Sequence, residues 1–436
     1  MKKSTKAIII ALITFSIIIS SIYYLQVLNQ SYRESKSDDD GSDNLLYIPD
    51  PSIKGIRLTF IHDFNDSVVI SWFTGVNSTD PKVLYSINPD LSGSLEIKPN
   101  SSLLSSSVYF YYAEINNLTP NKTYYYRVIA NESDTREIMD FTTLPNENAK
   151  NMTFLVYGDS RTDNIQTMSR RTVRRVLVEK IMEKFKNQFQ FSVHLGDIVY
   201  DGTAQFRWNN YFIDTEVLNA YKQGIYVEGN HENGHLSTKM YQNLPMINNE
   251  TNRYYSFSYA GVGFIILNSN DYKAGDEDQT NWLNETLIEF SQKNRINFAF
   301  LHHPLLHDRV DPYFRQKWNP LFDKYNVSCI FCGHNHHYER SYPMINSSTL
   351  EYDNSKKFNY TDIDDSIYIV SGGAGAPLHD ENDNDFIANN AKAYNFQLVN
   401  FVENSEKAMI NIESWGMPID YGNLYLIDNI TVTRTI

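Results

Sequence analysis

Seven side chains able to hold a metal ion fall in order between Asp159 and His336: Asp159, Asp197, Tyr200, Asn230, His302, His334 and His336. They sit in five short motifs: Gly158-Asp159, Gly196-Asp197-Ile198-Val199-Tyr200, Gly229-Asn230-His231, His302, and Gly333-His334-Asn335-His336. Two carboxylates, a phenol, an amide and three imidazoles are the donor inventory of a two-metal hydrolytic centre. Hard anionic oxygen suits Fe(3+), which assigns Asp159 and Tyr200 to one ion, with His336 beside them. Amide oxygen and imidazole suit a divalent metal, Zn(2+), Fe(2+) or Mn(2+), which assigns Asn230, His302 and His334 to the other. Asp197 then bridges the two. Ligands carrying about −3 against a trivalent and a divalent ion leave a centre of about +2, suited to a phosphate oxyanion.

The spacing agrees with that chemistry. Asp197 and Tyr200 are three apart, so a tight loop can turn both toward one ion. His334 and His336 are two apart, so an extended segment points both imidazoles the same way. A single Gly-Asp or Gly-Asn-His is a common turn. All five motifs in order are not.

The elements that must position these groups can be read from the pattern. Each motif follows an apolar run: Met152–Tyr157, Phe189–Leu195, Ile225–Glu228, Asn297–Leu301 and Val327–Cys332. Helical stretches are expected at Ile165–Lys186, near Ala204–Leu218, at Gln279–Phe290 and at Pro312–Tyr325, with a hairpin around Tyr254–Asn268. Strands alternating with helices predict a parallel or mixed sheet, and such sheets bind ligands beyond the carboxyl ends of their strands. Later strands near Phe396–Val402, Lys407–Glu413 and Tyr425–Thr433 are assigned to the same domain, closing its second sheet.

Upstream, Ile53–Leu144 carries short β-rich runs separated by turn residues, which predicts an all-β sandwich. It holds no catalytic cluster and is read as a spacer or packing partner. The first residues combine Lys2, Lys3 and Lys6 with an apolar run from Ala7 to Leu25, the pattern of a membrane anchor or a signal peptide. Either form exports the rest of the chain, because the positive cluster stays inside. A polar stretch, SYRESKSDDDGSDN, reads as a flexible stalk. Thirteen N-x-S/T sequons between Asn65 and Asn429 fit a glycoprotein setting. The organisation expected is a signal anchor or signal peptide at 1–30, a linker at 31–46, a β-sandwich at 47–146 and a catalytic domain at 147–436.

A net charge of −14 argues against a nucleic-acid partner bound through a basic face. It leaves a phosphorylated small molecule possible, because bound metals reverse the local field. The two cysteines, Cys329 and Cys332, are three apart on an expected strand and face opposite sides, so they read as core thiols.

The motif set resembles the calcineurin-like metallophosphoesterases and, among them, the purple acid phosphatases. Tyr200 completes G-D-x-x-Y, whose phenolate on ferric iron gives that family its colour. Gly333-His-Asn-His-His-Tyr-Glu-Arg340 is similar to the family's G-H-x-H-x-Y-E-R. Leu118–Val128 resembles a fibronectin type III corner, in which a Tyr hydroxyl ties back to upstream backbone. The resemblance implies an α+β, α/β architecture: an N-terminal fibronectin type III-like sandwich, then a four-layer α/β/β/α metallophosphoesterase domain. It implies Asp159, Asp197, Tyr200, Asn230, His302, His334 and His336 as metal ligands. His231 is implied as the imidazole that orients phosphate or protonates the leaving group.

Two departures stand out. Arg161 occupies a position where the family often has Gly, and is expected either to clamp phosphate or to pair with a carboxylate. The paired histidines that plant members place after the fourth motif are absent. His303 and His307 lie nearby at other spacing, as structural residues or substrate contacts. The function expected is hydrolysis of phosphate monoesters outside the cytoplasm by metal-hydroxide attack, with Asp197 and His231 central to catalysis. A phosphodiesterase or nucleotidase on the same centre is the first alternative. A non-catalytic surface protein with a degenerate phosphatase fold is the second.

Overall fold

The computed structural model describes residues 50–435, apart from 61–64, 106, 132–133, 163–171, 233–238, 245–252, 271–276, 308–311 and 356–357. The apolar run at Ala7–Leu25 and the polar stalk lie outside the described residues. No helix among the described residues is long and apolar enough to cross a membrane.

Two sheets carry the fold. At the centre of the first, the parallel strands Asn151–Tyr157, Phe191–His194 and Gln223–Tyr226 lie side by side, with Val156, Val193 and Ile225 in one row. In the second, Val262–Ile266, Ile296–Leu301, Cys329–Cys332 and Ile367–Ser371 are parallel, with Ile266, Phe300, Phe331 and Ile369 in one row. All seven strands are fully buried or nearly so, which is why they read as unbroken apolar runs. Aligned registers bring the carboxyl ends of neighbouring strands to one level.

The sheets pack face to face through aromatic rings. Phe154 and Phe191 of the first sheet stack at 5.3 Å, and Phe264 of the second meets Phe154 edge-on at 5.3 Å. Phe300 lies between Phe264 and Phe331, at 6.0 and 5.4 Å. Helices Val173–Phe185 and Gln205–Asn219 cover the outer face of the first sheet, through Leu155, Tyr157 and Phe396 for one and Tyr226 for the other. Helix Glu277–Lys293 covers the second sheet, through Ile265, Ala299 and Ile330. The layers are therefore helix, sheet, sheet, helix. Cys329 packs in the inter-sheet core and Cys332 on the helix side, on opposite faces of one strand. Both are free thiols.

The sequence assigns strands near Phe396–Val402, Lys407–Glu413 and Tyr425–Thr433 to the second sheet; the strands are Tyr394–Glu403, Lys407–Met417 and Tyr425–Thr435. They instead extend the first, antiparallel, with Leu155 opposite Leu398. Val399 and Phe401 face the inter-sheet core, while Phe396 and Leu398 face the helices. A strand apolar on both faces has to lie against the centre of the stack, and the Asn151–Tyr157 strand offers the open edge.

The N-terminal strands form a sandwich whose core holds Leu58, Ile70, Trp72, Tyr126 and Phe141. The hydroxyl of Tyr124 accepts from Thr119 N at 2.9 Å, which is the expected corner. One sandwich sheet is not separate, however. Lys54–Thr59 pairs in parallel with Gln223–Tyr226, so eleven strands run as one sheet through both parts. Arg57 reinforces the join: its fully buried guanidinium lies 3.8 Å from the Phe212 ring and donates to Asn243 O. The helix Pro312–Tyr325 is in fact two, Pro312–Lys317 and Asn319–Lys324. Pro320 cannot donate a backbone N–H, so the ladder restarts there.

Phe264 touches rings from both sheets. Phe264→Ala is expected to cost about 3–5 kcal/mol, read as a lowered denaturation midpoint; an unchanged midpoint would show that this contact does not hold the sheets together.

Candidate metal centre

Asp159 follows Asn151–Tyr157, Asp197 follows Phe191–His194, and Asn230 follows Gln223–Tyr226. His302 follows Ile296–Leu301, and His334 and His336 follow Cys329–Cys332. The first three come from one sheet and the last three from the other. Asp159, Asp197 and His334 adopt positive φ, at 58°, 50° and 68°. Left-handed backbone at non-glycine residues costs about 1–2 kcal/mol each. Three such residues in one cluster mark a site where the surroundings impose the conformation. Gly196, at φ 87°, allows the close approach, since a Cβ there would come within 2.7 Å of Gly229 N and 2.9 Å of His302 Nδ1.

The lone-pair atoms converge. Asn230 Oδ1 lies 3.0 Å from His302 Nε2 and 3.0 Å from His334 Nδ1, and those two nitrogens are 3.3 Å apart. Asp197 Oδ1 is 3.2 Å from His302 Nε2. Ligands about 2.1 Å from a shared ion, set roughly at right angles, lie about 3 Å apart. Asn230 Oδ1, His302 Nε2 and His334 Nδ1 lie at that mutual spacing and fit one cation, with Asp197 Oδ1 against His302. Beside them, Asp159 Oδ2 accepts from His334 N at 2.8 Å. Asp159 Oδ1 is buried without a hydrogen-bond partner among the described residues, and His336 Nε2 is 3.5 Å from it. An orphaned carboxylate oxygen facing an imidazole nitrogen fits a second cation.

Backbone carbonyls set the imidazoles. His302 Nδ1 donates to Leu195 O at 2.8 Å and His336 Nδ1 to Pro377 O at 2.7 Å, which leaves each Nε2 facing the cluster. Burial alone would lower the His302 pKa, but the Asp197 carboxylate raises it to about 9. Burial and the His302 charge push His334 down to about 3. Burial would raise Asp197, and His302 and His231 outweigh that and hold it well below the usual carboxylate range. A cation at this place would displace the proton from His302.

The remaining candidates are placed less uniformly. Arg161 donates from Nε to Asp197 Oδ2 at 3.2 Å, and its Nη2 lies 3.3 Å from His336 Nε2. Its charge thus sits among the donors of the second set. His231 is at the rim, with Nε2 3.8 Å from Asp197 Oδ2. Tyr200 is 48% exposed, its ring against His231 and near Arg161. Its hydroxyl makes no hydrogen bond to the other six candidates among the described residues. His307 is buried, 2.8 Å from Glu339, and His303 is held by Ser269 at 2.8 Å with its ring against His334.

Residues 53–143 match the family model described as the purple acid phosphatase N-terminal domain, and residues 152–338 match that of the calcineurin-like phosphoesterases. Through these two successive matches the chain is similar to the purple acid phosphatases. Its similarity to individual proteins is distant. An uncharacterized Mycobacterium tuberculosis protein is 25% identical over 338 residues, 67% of this chain and 63% of the relative. Purple acid phosphatase 21 of Arabidopsis thaliana is 27% identical over 267 residues, 56% and 57% respectively. The chain thus spans about three fifths of the length of these relatives. A purple acid phosphatase from yellow lupin seeds superimposes with a TM-score of 0.70 at 18% identity, covering 89% of this chain and 75% of the lupin chain.

Sequence reasoning passed over the residue that organises this candidate site. Glu232 is fully buried, and its carboxylate accepts from the backbone N–H of Asp197, Ile198, Val199 and Gly229 at 2.8–3.2 Å. It ties the second motif to the third. Burial and the Asp197 carboxylate oppose its ionisation, but four N–H donors suit only the anion. Its signal was in plain view as the acidic residue after His231. His379, outside the five motifs, also packs against the centre. Its ring stacks on His336 at 4.0 Å, and its Nδ1 accepts from His336 N at 3.2 Å.

Glu232→Ala leaves four N–H groups without an acceptor. It is expected to lower stability by about 3–5 kcal/mol and to reduce metal content, measured by denaturation and elemental analysis. Full metal occupancy in a folded variant would show that Glu232 does not order the site.

Proposed function

We propose that the chain is a binuclear-metal phosphatase that hydrolyses phosphate monoesters outside the cytoplasm. The observation carrying this reading is the convergence of Asn230 Oδ1, His302 Nε2 and His334 Nδ1 at 3.0–3.3 Å, with Asp197 Oδ1 3.2 Å from His302 Nε2. These four would hold a divalent ion, Zn(2+), Fe(2+) or Mn(2+). Asp159, His336 and Tyr200 would hold Fe(3+), with Asp197 shared. When bound, the ions would supply positive charge for the phosphate oxygens and an ionised water as nucleophile at mildly acidic pH.

The protein's own groups have separable tasks. Asp197, 1% exposed, keeps its carboxylate as an acceptor between the two donor sets. Asn230, opening a short 3-10 turn, presents its amide oxygen to the imidazoles while its neighbour His231 faces the rim. His231 N donates to Asp197 Oδ1 at 3.0 Å, which fixes this turn against the bridge. From the rim the His231 ring gives a proton to the departing alkoxide. Arg161, a planar guanidinium beside Asp197, closes on the phosphate oxygens when substrate enters. The exterior setting rests on the basic and apolar N-terminal run and the sequons. In this reading residues 47–146 are the sandwich and 147–436 the catalytic body.

Asp197→Asn is expected to lower kcat by at least about a thousandfold and to release metal from both positions, followed by elemental analysis. Full activity would remove the shared role. Tyr200 is tested by spectroscopy. The iron-loaded protein should absorb in the visible, and Tyr200→Phe should abolish that band; a band that survives would exclude the phenolate.

A further inference from the structure

The strand Phe191–His194 ends on an imidazole where its neighbours end on phenols. His194 stands opposite Tyr157 on one side and Tyr226 on the other, on the face that the helices cover. The ring is fully buried. It meets Tyr157 edge-on at 4.7 Å and Tyr211 edge-on at 5.9 Å, and it lies over Tyr226 at 6.2 Å. An apolar side chain would fill this aromatic box as well. An imidazole in it costs desolvation unless its nitrogens are bonded, and both are.

The two bonds reach the loops of the first and second motifs. Gly196 N donates to His194 Nδ1 at 3.2 Å, and His194 Nε2 lies 2.8 Å from Ser160 Oγ. Ser160 Oγ donates in turn to Ile198 O at 3.0 Å, so the bond between imidazole and hydroxyl runs from Nε2 to Oγ. Ser160 follows Asp159, and Gly196 and Ile198 flank Asp197. One side chain therefore spans the two loops that carry the candidate carboxylate ligands.

Its bond to Gly196 falls at a turn that has to be held. Gly196 and Asp197 are consecutive residues at positive φ, 87° and 50°. His194 takes the N–H of the first, and Glu232 takes that of the second at 2.9 Å. The two anchors act on different separations. Glu232 ties Asp197 toward Asn230, within one set of donors. His194 ties the Asp197 loop to the Asp159 loop, between the two sets.

We infer that His194 is a positioning residue of the metal centre: through Ser160 and Gly196 it sets the separation of Asp159 from Asp197, and with it the hold on the second cation. This rests on the two-cation reading and deepens it, because it names what spaces the two ions. His194 is not itself a ligand, since both its nitrogens are engaged behind the loops.

The test uses the full chain, stripped of metal and titrated with Mn(2+), which accepts carboxylate oxygen and imidazole alike. The unaltered protein should bind two ions and, at two equivalents, show the exchange-coupled electron paramagnetic resonance spectrum of a pair. Ser160→Ala removes the hydroxyl from the bridge, and His194→Phe fills the aromatic box without either bond. In both, the ion at Asn230, His302 and His334 should keep its affinity. The second should bind at least about tenfold more weakly, the usual effect of losing support behind a ligand. At two equivalents the pair spectrum should give way to the six lines of isolated ions. Unchanged affinity for the second ion in folded Ser160→Ala protein would overturn the inference. Equal weakening of both ions would overturn it too, since that marks general loosening. If His194→Phe does not fold, Ser160→Ala decides, because it leaves the imidazole and its box in place. Fewer than two ions on the unaltered protein would instead defeat the two-cation reading, and this inference with it.

Discussion

Atoms from two different sheets meet at 3.0 Å where Asn230 Oδ1 faces His302 Nε2, and the rest of the centre depends on that separation. No local element can set it. It is fixed by the aromatic layer between the sheets, where Phe154, Phe191, Phe264, Phe298, Phe300 and Phe331 leave no slack. Rings at native packing density resist compression and shear. Shorter apolar residues would let one sheet slide, and a displacement of about 1 Å is enough to lose a ligand position. The core thus fixes the spacing of the site as well as the stability of the fold.

On that fixed spacing, the loops are bent under strain. Asp159, Asp197 and His334 would each relax to ordinary backbone if free. Hydrogen bonds prevent it: Glu232 holds the Asp197 loop through three consecutive N–H groups. Asp159 in turn holds His334 through its N–H, and so ties the first sheet's loop to the second's. The carboxylates therefore serve twice, as candidate ligands and as clamps. Asp159 and Asp197, which combine ligand position and clamp, each follow a glycine. The glycines permit the approach and the carboxylates lock it.

Much of this was legible in the residues and some was not. Strand runs and the short motifs that carry the candidate donors are local patterns, each a few residues long. The continuity of the eleven-stranded sheet was hidden, because pairing of Leu58 with Gln223 joins segments far apart that carry no mutual code. The placement of Tyr394–Glu403 was misread for the same reason: its two apolar faces show that it is buried but not beside which strand. Glu232 was overlooked because its work is to accept from backbone N–H groups of a loop more than thirty residues away, and no spacing shows that. Tyr200 was read through its motif. Its backbone position follows that motif, but its ring rests on His231 at 5.2 Å, a contact no spacing rule foretells.

Charge explains why the arrangement calls for cations. Asp159, Asp197 and Glu232 are all at most 1% exposed. Three carboxylates this deep repel one another, and burying each without compensation costs several kcal/mol. Against them stand Arg161 and the proton on His302. One guanidinium and one proton do not balance three anions, and Asp159 Oδ1 has no hydrogen-bond partner among the described residues. A phosphate dianion approaching this cluster alone would meet net negative charge. With multivalent ions among the same donors the sign reverses, and the strain in the loops and the buried carboxylates become the features that select and hold them.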